Sequence, residues 1–333
     1  MAPSPPPSPL SRHPLNDARS QPTLRLHTAP SSAPPNARLP PPVTRPAQLS
    51  AAKYAAPASW HSDAYTLAHN AIKRQLASLY DIMDSIASRI HHVVGAELDT
   101  FARWWRVLEP FITEYFDFEA DVLLNWAAAD PSALAHLKHL CLDHIRQLCG
   151  TFELRRYVDP TDLFCTIVRE VNALVPHLLH YMSALDAHLS PLIRARHSPQ
   201  SVVALTRSYV AYVKKGENPH VHLVLLTTWM KSRVKDKWIN TYVRGFSRLL
   251  FRRWERYTAR THIAIVAAFR TRAVKEARRT AASRIRRRTE FGEHVDDVSF
   301  GSMPSVGGSI RSLNVAVARV KRDLSRSANR FAV

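Results

Sequence analysis

Side chains able to bind a metal ion fall in four separate segments of this 333-residue chain. His69 stands in AHNAIKRQL. Tyr115 and Glu119 stand in EYFDFEADVLLNW, one helical turn apart on one face. His144 lies in LDHIRQL, after His136 and His139. His177, His180, Tyr181 and Asp186 follow further on. Carboxylates from some helices facing histidines from others suit non-haem iron, for which oxygen and imidazole donors are ordinary ligands. The same residues also suit a metal-free core, in which Tyr115 and Tyr181 hydrogen-bond Glu119 and Asp186. The cofactor expectation is therefore either none or non-haem iron.

The elements that must position these residues are helices. Apolar residues recur at three and four from Tyr65 to Met83, predicting a first helix that stops near Gly95. A second begins near Leu98 and ends near Ala129, with a kink or brief interruption expected at Pro110. Asp130-Pro131-Ser132 reads as cap and first-turn proline of a third, which stops at Gly150. Asp159-Pro160-Thr161 opens a fourth, running to about residue 195 with a bend at Pro176. The fold expected is all-α: an up-down-up-down four-helix bundle over residues 58–196. Basic helices extend it over 200–288, including one long segment from about Lys235 to Arg288 whose apolar positions read as core. Residues 1–57, rich in Pro, Ser and Ala, and most of 289–333 are expected to be disordered.

The order and spacing of the four segments resembles hemerythrin-like, cation-binding four-helix domains, over less than half of the chain. AHNAIKRQL is similar to the first-helix motif of that family, with His69 at its histidine. FITEYFDFEADVLLN is similar to the second, with Glu119 at its carboxylate. LDHIRQL matches the third through His144, and YMSALDAHLSPLI the fourth through Asp186 and Pro191. Tyr115 and Tyr181 occupy positions where the family has histidines, so two imidazole ligands are replaced. The resemblance thus implies a site of His69, Tyr115, Glu119, His144, Tyr181 and Asp186, with iron or with degenerate ligands. His180, beside Tyr181, points about 100° away on an ideal helix.

Charge divides the chain differently. The net +19 is made of +5 over residues 1–57, −5 over 58–199 and +19 over 200–333. Arg278, Arg279, Arg284, Arg286, Arg287 and Arg288 form the densest cluster, which predicts an anionic partner: nucleic acid, anionic lipid or an acidic protein. His220 and His222, two apart, diverge on a helix and are not expected to share a metal. Three cysteines without a CxxC spacing argue for reduced core thiols rather than a disulfide framework. Neither a catalytic triad pattern nor a glycine-rich phosphate loop nor HExxH occurs, so no enzyme is expected. No uncharged apolar run approaches membrane-spanning length, and no signal-peptide block is evident. These features together predict an intracellular protein, cytoplasmic, with nucleus or organelle as alternatives. The functional expectation is a non-catalytic binding or scaffold protein. The alternatives are an iron-binding protein for oxygen or iron sensing or carriage, and a nucleic-acid-binding protein acting through its Arg-rich helix.

Overall fold

A computed structural model describes residues 41–292, with side chains as far as residue 283. The chain is all-helical, with no strand among the described residues. Helix α1 spans Asp63–Ala87 and α2 spans Gly95–Phe118. A five-residue π-helical stretch, Glu119–Leu123, joins α2 to the short α3, Leu124–Ala127. Helices α4, Ala135–Glu153, and α5, Pro160–Arg196, pack along one another. The chain continues through α6, Pro199–Val213, α7, Pro219–Leu225, α8, Ser232–Tyr242, and α9, Phe246–Thr258. A second π-helical stretch, Ala259–Ile263, leads into α10, Ala264–Gly292.

The helix starts follow local chemistry. Asp130 accepts a hydrogen bond from the Ser132 amide, and Asp159 from the amides of Thr161 and Asp162, so both expected caps are formed. Ser198 and Ser201 cap α6 reciprocally.

Several interior expectations are corrected. Helix α2 runs through Pro110 without interruption. The carbonyl left without a donor belongs to exposed Arg106, where water can serve it. Helix α4 passes through Gly150, because Leu148, Thr151 and Phe152 on either side are buried and packing outweighs the glycine penalty of about 1 kcal/mol. The long helix expected from Lys235 is broken at Gly245, whose φ of 65° is left-handed and suits glycine. Residues 41–57, read as part of a disordered segment, lie against the helices. Asn172 Nδ2 donates to Pro42 O at 2.9 Å, and Asn70 exchanges hydrogen bonds with the backbone of Ala52.

One hydrophobic core runs through the described helices, from Tyr65 to Phe269. The basic C-terminal segment shares it, since α10 packs along α1 and Ser85 Oγ donates to Phe269 O at 2.6 Å. Part of its charge is used here. Arg272 and Arg89 both contact the buried carboxylate of Glu97, at 2.7 and 2.6 Å, and Arg270 pairs with Asp81. The aromatic stripe expected to be core is divided. Trp238, Phe251 and Phe269 are buried, whereas Phe246, Leu249 and Tyr257 face outward. Among the described residues, no helix is long and apolar enough to cross a membrane.

Candidate functional site

Five of the six expected ligand residues form two polar clusters between α1, α2 and α5. His69, on the buried face of α1, meets Tyr115 OH through Nε2 at 2.8 Å. Its Nδ1 lies 2.9 Å from Asp186 Oδ1, an electrostatic approach rather than an aligned hydrogen bond. The second cluster centres on Glu119, which is fully buried. Tyr181 OH donates to Glu119 Oε1, and Lys138 Nζ on α4 stands 3.4 Å from the same oxygen. Lys138 also donates to Phe116 O at 2.6 Å. The helix adopts its π-helical geometry at Glu119, a distortion often found at functional positions.

Burial dominates the electrostatics of the site. Burial raises the Glu119 carboxyl, against the opposing influence of Lys138 and the Tyr181 hydrogen bond. Burial and then the neighbouring Glu119 push the Tyr115 and Tyr181 phenols far upward, so phenolate is strongly disfavoured. The other Glu119 oxygen is buried without a hydrogen-bond partner, and Glu119 is among the residues lining a cavity of about 280 Å³. Leu124, Leu142 and Leu185 supply apolar walls there, with Lys138 and Tyr181 beside Glu119.

His144 does not join this group. Its Nε2 lies 3.0 Å from His177 Nδ1, and the two rings stack. The buried positions of α4 are Cys141, Ile145, Leu148, Thr151 and Phe152, and His144 lies at the half-buried edge of that stripe, turned toward α5. Lys138, nearer the start of α4, places its Nζ at Glu119 instead. Lys138 is not among the residues expected in the site, and the periodicity of α4 does not single it out. His136 and His180 are exposed.

Iron fits this donor set poorly. Glu119 already faces a cation, Lys138, and a phenol. His69 Nε2 is engaged by Tyr115, and the phenols resist ionisation. Among the described residues, no group of three or more His, Cys, Asp or Glu is placed to hold a metal ion.

The remaining carboxylates of the opening segment serve elsewhere. Asp121 accepts from Tyr212 OH at 3.2 Å, and Asp117 is exposed. Glu114 meets the buried ring of His222 through Nδ1. His220 and His222 do diverge: His220 lies against Tyr257, while His222 packs on Phe111. Of the expected anion-binding residues, Arg278 and Arg279 are exposed on α10, with Arg279 3.7 Å from Glu276. The side chains of Arg284, Arg286, Arg287 and Arg288 lie outside the described residues, as do residues 1–40 and 293–333.

No family model, curated protein or solved structure matches the chain.

Proposed function

We propose that the chain is a non-catalytic binding or scaffold protein: an up-down-up-down, hemerythrin-like bundle with an eroded metal site, whose basic C-terminal helices take up an anionic partner. The observation that supports this reading is the ammonium of Lys138 at Glu119. A protein cation stands at the carboxylate that the resemblance assigns to iron, and the two tyrosines at histidine positions complete hydrogen bonds to Glu119 and His69. Buried charge must be paired, and here side chains supply the pairing. The partner half of the reading is supported by the surplus of Lys and Arg beyond residue 200, only part of which is spent on internal ion pairs. Iron and zinc analysis of the purified full-length chain, with its absorption spectrum, tests the reading. Well under one metal per chain is expected. One or two irons per chain with a visible ligand-to-metal band would instead make it an iron-binding protein.

A further inference from the structure

Helix α9 carries an outward face that the fold touches only at Tyr257, against which His220 lies. Phe246 is 72% exposed, Leu249 77% and Tyr257 50%, which is unusual for three large apolar side chains on one 13-residue helix. With Arg253 and Arg256 they span about 100° of the helix circumference. Phe251 and Thr258, on the other side, are buried. The ion pairs of the region lie along the flank: Arg252 meets Asp236 and Glu255, and Lys235 meets Glu255. Among the described residues, Arg253 and Arg256 are left without a carboxylate. Gly245, with its positive φ, turns the chain so that Phe246 heads the helix, and the exposed Arg244 precedes it.

We infer that this face, built on Phe246, Leu249, Arg253, Arg256 and Tyr257, docks on an anionic lipid bilayer as an interfacial helix. The inference deepens the anionic-partner reading above and rests on it. Charge complementarity selects the occupant. Residues 231–283 carry fifteen Lys and Arg against three acidic residues. A second copy of this surface would be repelled, and residues 1–40 and 293–333 are themselves net positive, so neither complements it. The exposed Phe and Leu then separate lipid from nucleic acid. Phosphate-backbone contacts reward the arginines alone, and Leu249 or Phe246 could enter duplex DNA only by unstacking its base steps at an energetic cost. A bilayer interface rewards both, with acyl chains receiving the apolar tips while headgroup phosphates meet the guanidiniums. The arrangement lies on the membrane and does not span it, consistent with the short length of α9.

The test uses the full chain and a Phe246→Ser/Leu249→Ser variant. Both substitutions are at exposed positions, and circular dichroism checks that the helices are retained. Co-sedimentation is measured with phosphatidylcholine vesicles, with vesicles containing phosphatidylserine, and against a 20-base-pair duplex, at low and high salt. The expected result is binding to the phosphatidylserine vesicles that weakens with salt and falls about tenfold or more in the variant. Vesicle binding equal in both proteins, or duplex binding without vesicle binding, would overturn the bilayer assignment while leaving an anionic partner in place. A dimer of the chain alone that the variant abolishes would give the face to self-association and overturn it too. Binding to neither polyanion would overturn the bilayer assignment too and leave, of the anionic partners, only an acidic protein.

Discussion

Lys138 Nζ stands 3.4 Å from Glu119 Oε1, at a carboxyl that is wholly buried and that Tyr181 also contacts. Removing one member of such a set leaves the others without compensation. Lys138→Met is expected to cost about 1–3 kcal/mol. Glu119→Gln, which keeps the shape and still accepts from Tyr181, should cost less. The double variant should be less destabilised than the sum of the two, with a coupling of about 1 kcal/mol, measured by urea denaturation. Additive losses would mean that the lysine acts only through its bond to Phe116 O.

His262 supplies a pH dependence. It is buried, stacked on Trp104, with Nε2 3.1 Å from Gln75 Oε1. Burial, followed by repulsion from His222, lowers it from the ordinary 6.5 to about 4. The unfolded chain therefore binds a proton at this residue more readily than the folded one. The contribution to stability is fully present above about 6.5 and is lost as pH falls toward 4, on the order of 3 kcal/mol. Replacing His262 with Asn should flatten the decline in stability over that window relative to the native chain. Parallel pH profiles for the two proteins would show that His262 does not carry it.

A helix reading of the sequence succeeded where the code is local. Caps at Asp130 and Asp159 were legible because Asp side chains and first-turn prolines act on their own neighbours. The failures are long-range. Gly150 stays helical because distant residues bury its neighbours, and Gly245 breaks a pattern that is apolar on both sides of it. In the site, His69, Tyr115, Glu119, Tyr181 and Asp186 were legible from type and spacing. The expectation was that Tyr115 and Tyr181 hydrogen-bond Glu119 and Asp186; Tyr181 contacts Glu119, while Tyr115 turns to His69. Lys138 and the Glu114–His222 contact were missed, since a lysine on a solvent-rich helix and a histidine 108 residues away give no adjacent signal.

Gly216 makes room for Glu114. A methyl group there would meet Glu114 Oε1 at 2.6 Å. The carboxylate cannot withdraw without leaving His222 Nδ1, which it contacts. Gly216→Ala is therefore expected to cost about 1–2 kcal/mol. In a Glu114→Ala background the same change should cost little, because the obstacle is gone. Thermal denaturation of the four proteins measures this, and an undiminished cost in that background would place the constraint in the loop backbone instead.

The central claim is that paired side chains stand where the resemblance expects iron. It is tested most directly by anaerobic ferrous titration of the native chain and of a Tyr115→His/Tyr181→His/Lys138→Ala variant, with bound iron counted after desalting. The native chain is expected to retain well under one iron. The variant, with two imidazoles restored and the competing ammonium removed from Glu119, should retain at least one. Stoichiometric iron on the native chain, or no gain in a folded variant, would contradict the account.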